Sequence, residues 1–341
     1  MGAVFCRCQA RHLSTPIKTQ SYQGCKSCKT LSVPGTYKLR QISRLKGGKS
    51  MVFLRIFITT VIIIAFPTLA SAEKLVIIDP GHGGKFYGTC GFSGVQTGYC
   101  EKDANLEVAL LVRKYLQQDT NIRVELTRSD DREFAPILRG NEGEGDLAKR
   151  IQLANELAAT NNQQTIFISI HHNAHPTNPF RRGVETYYFD GIQHANPTYP
   201  FDPLQLLFRD DSKRLAESVH PALVNQLATP DRRIHNNQSF FVIRNAQMPA
   251  ILLELGYMSN RFEEQSIRAK TFQQTAAKAI AEGITSYFQV YEVYGANDRK
   301  LATFQHEIDA LTYAKQTRSA IHVFDKDRQK VIYKVLDKIT L

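Results

Sequence analysis

The chain lacks acidic residues over its first 72 positions, and this absence explains its apparent basicity. The 341 residues carry a formal net charge of +11, a value that would suit a nucleic-acid-binding protein. Eleven of the 43 Lys and Arg residues fall in those 72 positions, so the remainder of the chain holds 32 basic and 32 acidic residues. The part of the chain long enough to fold around a core is therefore neutral, and we expect no nucleic-acid partner.

Three motifs of serine hydrolases and nucleotide enzymes are also missing. The chain contains no G-x-S-x-G turn, which presents the nucleophile in many serine hydrolases. The glycine-rich turn at 81–84 follows an apolar run, but it has neither the Lys-Ser/Thr ending of a phosphate-binding loop nor the G-x-G-x-x-G spacing of a dinucleotide site. These absences exclude the three corresponding site types.

The first 72 residues divide into two segments. Residues 51–72 combine Arg55, with Lys46 and Lys49 just upstream, an apolar run at 56–66 and a small-residue end at 70–72, which is the pattern of a cleaved secretory signal peptide. The apolar run is well short of the ~20 residues of a membrane span, although an uncleaved anchor is the alternative. Residues 1–50 show no periodicity, and we interpret them as an over-extended start or a disordered leader.

Export has a consequence for the cysteines. After cleavage before Glu73, only Cys90 and Cys100 remain. We expect the mature chain to act in the periplasm or cell envelope, where nearby cysteines usually pair. The sequence therefore predicts a disulfide, with free cysteines or a pair of metal ligands as the alternative.

Helical and strand patterns alternate from residue 75 onward. Strands are predicted at 75–79, 124–127, 165–171, 183–189, 240–243 and 250–255, and helices at 103–118, 146–159, 212–227 and 271–289. This order predicts an α/β fold of three layers, α/β/α, with a mostly parallel mixed sheet. A single catalytic domain is expected at 73–294.

Two further segments carry predictions of their own. Residues 295–341 are predicted to form a short C-terminal appendix, with one helix over 298–316 and a hairpin over 320–335. We expect it to pack on the domain and finish its core, with a docking appendix as the alternative. Residues 190–211 form a long loop without periodicity, and such loops are often lids or binding loops. We predict that this lid, or an activator protein, regulates a monomeric protein.

Polar side chains at or beside the strand ends are the candidates for chemistry. They are His82, Glu101, His171 or His172, and Glu254. Two imidazoles and one carboxylate form a common ligand set for catalytic zinc, with a fourth position open for water. A second carboxylate nearby can act as general base. Buried histidines at strand ends are often only hydrogen-bonded structure, so spacing alone leaves the metal site open.

Five ordered blocks resemble the zinc-dependent N-acetylmuramoyl-L-alanine amidases of the third amidase type. The blocks lie at 76–84, 101–106, 169–173, 182–187 and 249–260. The resemblance covers about residues 75–288. It implies that one Zn²⁺ ion is held by three side chains and that one glutamate acts in catalysis, with the ligands His82, Glu101 and His171 and the catalytic residue Glu254.

The same resemblance implies a substrate and a reaction. The substrate is peptidoglycan, and the bond is the amide between N-acetylmuramic acid and the L-alanine of the stem peptide. Zinc-activated water attacks, and Glu254 serves as general base. Two alternatives stay open: a catalytically silent peptidoglycan-binding protein, and a zinc peptidase that cuts within the stem peptide.

The remaining candidates have weaker support. Strand alternation sends His171 and His172 to opposite faces, and the motif selects His171. Asp79 is a candidate acceptor for an imidazole N–H, with capping of the turn as the alternative. Asn173 and Arg244 are candidate substrate contacts, with surface or structural roles as the alternative. All of these lie inside the region of resemblance.

Overall fold

The computed structural model describes residues 74–119, 121–139, 145–159, 164–193 and 195–335. The predicted leader and signal peptide lie outside these residues. The strands are β1 (Lys74–Pro80), β2 (Ile122–Leu126), β3 (Thr165–Asn173), β4 (Val184–Tyr188), β5 (Asp231–Asn236), β6 (Ala250–Tyr257), β7 (Tyr291–Gly295), β8 (Lys300–Phe304), β9 (Ala320–Asp325) and β10 (Lys330–Lys334). The helices are α1 (Gly94–Thr97), α2 (Glu101–Leu116), α3 (Asp146–Ala159), α4 (Arg209–Leu227), α5 (Phe241–Arg244), α6 (Arg261–Ile267), α7 (Lys270–Phe288) and α8 (Glu307–Gln316), with 3₁₀ turns at Pro203–Phe208 and Ala296–Asp298.

The larger sheet has six strands in the order β2-β1-β3-β6-β4-β5. Strands β2, β1, β3 and β6 run parallel, whereas β4 is antiparallel to β6 and parallel to β5. Helices α2, α4 and α7 pack on one face in the larger apolar cluster, and α3 and α5 pack on the other. The predicted three-layer fold with a mostly parallel mixed sheet is confirmed.

Strand alternation sets which side chains share a face. The even-numbered isoleucines of β3 belong to the cluster with α2, α4 and α7, whereas Phe167 belongs to the cluster with α3 and α5. Because successive side chains point to opposite faces, Asp79 of β1, His171 of β3 and Glu254 of β6 all lie on the α3/α5 face. They stand toward the carboxyl ends of three parallel strands, the edge where open α/β sheets place their sites.

Helix α2 begins at a candidate ligand. The side chain of Asp103 accepts a hydrogen bond from the amide of Cys100 at 2.9 Å and so caps the start of α2. Acidic residues occupy the first turn of α2, and Arg113 and Lys114 occupy its last turn. This arrangement complements the helix dipole, and it places Glu101 at the first position of the helix.

The C-terminal residues form a second, antiparallel sheet in the order β10-β9-β7-β8. Its apolar cluster includes Tyr291, Val293 and Val323, is completed by α8, and contains no residue of the larger sheet. The expectation that the tail finishes the core of the large domain is therefore wrong, because the tail has a core of its own. An ion pair between Lys74 and Asp327, 2.6 Å long, links the two sheets.

Three secondary-structure predictions were wrong or incomplete. Residues 240–243 were expected to form a strand, but Phe241–Arg244 is a helical turn. The single helix predicted over 298–316 is instead β8 followed by α8. The edge strand β5 has no apolar alternation to reveal it. Among the described residues, no helix combines the length and the hydropathy needed to cross a membrane.

Candidate metal centre

The three predicted ligands converge at one edge of the larger sheet. Nε2 of His82 lies 3.2 Å from Oε1 of Glu101, and Nδ1 of His171 lies 2.9 Å from the same oxygen. The three ligand atoms all lie within 4.8 Å of one another. Zinc bonds of about 2.0–2.2 Å at tetrahedral angles separate ligand atoms by about 3.4 Å. The spacing therefore fits one ion shared by the three side chains.

The turn that carries His82 is strained and tightly packed. His82 has a φ of 62°, a left-handed conformation that costs a residue with a Cβ some stability. Nη2 of Arg150 donates to the carbonyl of His82 at 2.7 Å, and Nη2 of Arg128 donates to the carbonyl of Gly81 at 2.9 Å. A Cβ on Gly81 would lie 2.2 Å from the ring of His171, so glycine at 81 permits the ligands to meet.

Asp79 acts on this turn through Arg150. Its Oδ1 lies 2.8 Å from Nη1 of Arg150, and both side chains are almost fully buried. Burial raises the pKa of Asp79, but the charge and hydrogen bond of Arg150 outweigh it, and the pKa is lowered. Its carboxylate also accepts hydrogen bonds from the hydroxyls of Thr127 and Ser169. Among the described residues it bonds no imidazole, so the predicted direct contact is replaced by an indirect one.

Glu101 reaches the histidines from the start of α2. Its Oε2 accepts a hydrogen bond from the amide of Thr89 at 3.0 Å, which leaves Oε1 toward His82 and His171. Burial raises the pKa of Glu101, but hydrogen bonds and charge from the two histidines lower it well below its usual range. The side chain is therefore ionised, as a metal ligand must be.

His171 and His172 point to opposite faces of β3, as the alternation predicted. Nδ1 of His172 lies 2.8 Å from Oδ1 of Asn105 on α2, and its ring lies 6.5 Å from that of Phe272. Burial lowers the pKa of His172 to about 4. His172 is thus a neutral core residue on the α2/α7 face. Only its backbone amide reaches Glu101, donating to Oε1 at 3.2 Å, whereas the ring of His171 faces that carboxylate.

Glu254 stands beside the ligands with an unused oxygen. It lies opposite His171 on β3 and opposite Glu185 on β4. Its Oε2 is buried and has no hydrogen-bond partner among the described residues. Burial, followed by the charges of Glu101 and Glu185, raises the pKa of Glu254 well above its usual range. A carboxyl group in this position can hold or release a proton next to the three predicted ligands.

Glu185, which sequence reasoning missed, neighbours both Glu254 and a predicted substrate contact. Oε2 of Glu185 accepts a hydrogen bond from Nδ2 of Asn173 at 2.9 Å. Its other donors are the side chains of Arg181, Tyr187, Arg232 and Tyr257. Burial raises the pKa of Glu185, but these donors lower it. Its place in the block at 182–187 was the available signal.

A cavity of about 280 Å³ opens at the ligands. Its lining includes Glu254 and Asn173, together with an apolar wall of Leu138, Leu147, Phe240, Phe241, Val242 and Leu252. None of the described residues of the 190–211 loop lines it. The loop predicted as a lid therefore does not cover the ligands in this structure.

Arg244 holds that loop in place instead of facing the cavity. Its Nε donates to the carbonyl of Pro200 at 2.8 Å, and its Nη1 donates to the carbonyl of Ser239 at 2.6 Å. The amide of Asp202 donates to the carbonyl of Arg244 at 3.1 Å. Arg244 is absent from the cavity lining, so the predicted substrate contact is replaced by a structural role.

The predicted disulfide is confirmed. Cys90 and Cys100 are bonded to each other, which removes the alternatives of free thiols and of metal ligation by these cysteines. The bond lies in the segment between His82 and Glu101.

Comparisons with known proteins agree with this geometry. The chain is 31% identical over 216 residues to the N-acetylmuramoyl-L-alanine amidase LytC of Bacillus subtilis. The matched region covers 63% of this chain and 36% of LytC. It is 29% identical over 226 residues to the germination-specific N-acetylmuramoyl-L-alanine amidase of the same organism, with 65% and 82% covered. The similarity thus spans only about a third of the length of LytC.

A solved structure shows the same architecture. An N-acetylmuramoyl-L-alanine amidase from Clostridium difficile 630 is similar with a TM-score of 0.51 and 31% identity, covering 64% of this chain and 97% of that chain. The family model described as N-acetylmuramoyl-L-alanine amidase matches residues 76–286, more than half of the chain and all four residues of the candidate site. The chain therefore belongs to the Amidase_3 family of N-acetylmuramoyl-L-alanine amidases.

Proposed function

We propose that the protein is a zinc-dependent peptidoglycan hydrolase that cleaves the amide between N-acetylmuramic acid and the L-alanine of the stem peptide. The observation that carries this proposal is the cluster of His82, Glu101 and His171 beside an unpaired oxygen of Glu254. Family membership supplies the substrate class and the bond. The fold supplies a cavity at the same edge of the sheet.

The donor set suits zinc. Two imidazole nitrogens and one carboxylate oxygen are the ligands of many catalytic zinc sites, which keep a fourth position open. His82, Glu101 and His171 would hold the ion, and the ionised state of Glu101 favours binding. Bound there, zinc supplies a Lewis acid for the scissile carbonyl and lowers the pKa of a water molecule.

We assign the proton transfer to Glu254. Its free Oε2 lies in the cavity lining, and no described donor competes for it. Glu254 would accept a proton from the attacking water at Oε2 and return it to the nitrogen of the leaving L-alanine. The amide C–N bond then breaks, and a carboxylate and a free amine are released.

Two polar residues of the cavity are proposed to contact substrate. Asn173 is held by Glu185 at the cavity wall. Arg139 also lines the cavity, is exposed, and has no hydrogen bond or ion pair among the described residues. Stem peptides of peptidoglycan carry carboxylates, so the free guanidinium of Arg139 complements them.

Export completes the proposal. Residues 51–72 would direct secretion. The catalytic domain predicted at 73–294 would end before β7, which belongs to the sheet of the C-terminal appendix. The disulfide supports an oxidising compartment for the mature chain. Removal of the signal peptide is tested by N-terminal sequencing of the protein recovered from the cell envelope, which should begin at Glu73.

Digestion of purified peptidoglycan tests the reaction. Protein with zinc should release intact glycan strands and free stem peptides, identified by mass, and a chelator should stop the release. Peptides cut internally would instead indicate a zinc peptidase. Binding to peptidoglycan without any release would indicate a silent wall-binding protein.

A further inference from the structure

The loop between the ligands His82 and Glu101 has little apolar packing. Among the residues whose burial is described from Lys85 to Tyr99, only Gly94 is buried. Tyr87 and Phe92 are 53% and 57% exposed. Because burial of apolar surface is the main force that holds a segment in one conformation, this loop depends on other contacts.

Several contacts fasten the loop to the start of α2, including a hydrogen bond from the Lys102 amide to the carbonyl of Tyr87 at 3.1 Å, and two of them adjoin Glu101. Thr89 exchanges two hydrogen bonds with Glu101: its carbonyl accepts from the Glu101 amide at 2.7 Å, and its amide donates to Oε2 of Glu101 at 3.0 Å. The second contact is the disulfide between Cys90 and Cys100. Cys90 directly follows Thr89, and Cys100 directly precedes Glu101. The disulfide therefore joins the two residues that neighbour the hydrogen-bonded pair Thr89 and Glu101.

The backbone amide of His172 donates to Oε1 of Glu101 at 3.2 Å, and the other oxygen is oriented by the amide of Thr89. The Thr89 amide occupies Oε2, and Oε1 then lies 3.2 Å from Nε2 of His82 and 2.9 Å from Nδ1 of His171. The backbone of Gly88 packs against the same carboxylate, since a Cβ there would lie 2.4 Å from Oε2. The loop thus helps to fix the rotation of the ligand and shields one side of it.

We propose that the Cys90–Cys100 disulfide positions the Glu101 carboxylate, so that the zinc affinity of the protein depends on the oxidation state of this cysteine pair. This inference rests on the proposed zinc site. A dithiol reductant would supply two electrons and two protons, become a disulfide itself, and leave Cys90 and Cys100 as thiols. The Thr89 amide is then free to leave Oε2, and the carboxylate gains rotational freedom that binding must remove.

Zinc affinity of the double variant Cys90→Ser/Cys100→Ser tests the proposal. The dissociation constant is measured by competition with a chromogenic chelator, without substrate. Loss of a partner that orients a metal ligand typically weakens metal binding about 10–100-fold, and we expect a loss in this range. Wild-type protein reduced with dithiothreitol, then freed of it by gel filtration under argon, should show the same loss without any substitution.

A control variant that destabilises the core separates an effect on the position of Glu101 from an effect of general destabilisation. Leu223→Ala removes a fully buried side chain of α4 from the larger core, away from the loop. Distant sites act almost independently, so its zinc affinity should stay within about twofold of wild type. A rescue is expected when the reduced wild-type protein is reoxidised, with recovery of the original affinity.

The contradicting results are distinct. Equal zinc affinity in the oxidised, reduced and double-variant proteins would overturn the proposal, and so would an equal loss in Leu223→Ala. Failure of the proposed function has a different signature: zinc-loaded wild-type protein would release no stem peptides, whereas the affinity difference between oxidised and reduced protein would remain.

Discussion

The turn that carries His82 and the loop that precedes Glu101 position two residues of the candidate metal site by different means. The turn is held by the buried guanidinium groups of Arg128 and Arg150, which donate hydrogen bonds to its carbonyls. The loop is largely exposed and is held by a disulfide and by the Thr89 amide. The arginine hydrogen bonds belong to the core, and their loss should lower the stability of the whole fold. The disulfide and the Thr89 hydrogen bond are local, and their loss should weaken mainly the binding of the metal.

Arg150→Met should give the largest effect, and it should be a loss of stability. Arg150 pairs with Asp79 and Asp146 inside the domain, and removing one partner of a buried ionic group costs about 3–5 kcal/mol because the other charges stay unpaired. Denaturant titration measures the free energy of unfolding. The control Arg123→Met removes an exposed ion pair to Glu125 and should cost at most about 1 kcal/mol. An equal loss of unfolding free energy in the two variants would contradict the core role of Arg150.

Gly88→Ala should have a smaller effect that falls on the metal. Gly88 has a φ of 68°, and its added Cβ would lie 2.4 Å from Oε2 of Glu101. We expect zinc binding to weaken about tenfold, the lower end of losses for ligand-orienting contacts. Gly98→Ala is a matched control, since Gly98 has a φ of 69° and no atom within 4 Å of the added Cβ. Chelator competition should show unchanged affinity for Gly98→Ala, and similar losses in both variants would assign the effect to backbone strain alone.

Arg139→Glu should give the smallest effect, on substrate alone. Arg139 lines the cavity but belongs to neither ligand-bearing segment, so zinc affinity and stability should not change. Reversal of an exposed charge should raise the KM for peptidoglycan about threefold, and more at low salt. The control Arg132→Glu alters an exposed arginine of the same loop that is absent from the cavity lining. The same rise in KM for both variants would show a nonspecific charge effect.

The parts of the site that follow from local rules were predictable. Alternation along β3 separates His171 from His172 without any knowledge of the fold. The apolar run around Glu254 marks it as a buried carboxylate that needs a task or a partner. The five ordered sequence blocks then select one set of ligands and one catalytic glutamate among several possible sets. The alternating elements also predict the three layers, because parallel strands need helical crossovers.

The parts that depend on tertiary contacts were not predictable. Nothing in the sequence around Arg128 reveals that its guanidinium reaches the carbonyls of Pro80 and Gly81, 47 or more residues away. The apolar residues 240–243 suit a short strand or a helical turn equally well, and packing on the α3/α5 face decides for the turn. Length alone suggested that 190–211 is a lid, whereas the Arg244 contacts anchor it elsewhere.

Turnover of peptidoglycan by Glu254→Gln with zinc bound is the most direct test of the central claim. The substitution keeps the shape of the side chain but removes its ability to accept a proton. Zinc content should match wild type, and release of stem peptides should fall about 10²–10⁴-fold, the usual contribution of a general base. Zinc-loaded Glu254→Gln that releases stem peptides at nearly the wild-type rate would contradict the account.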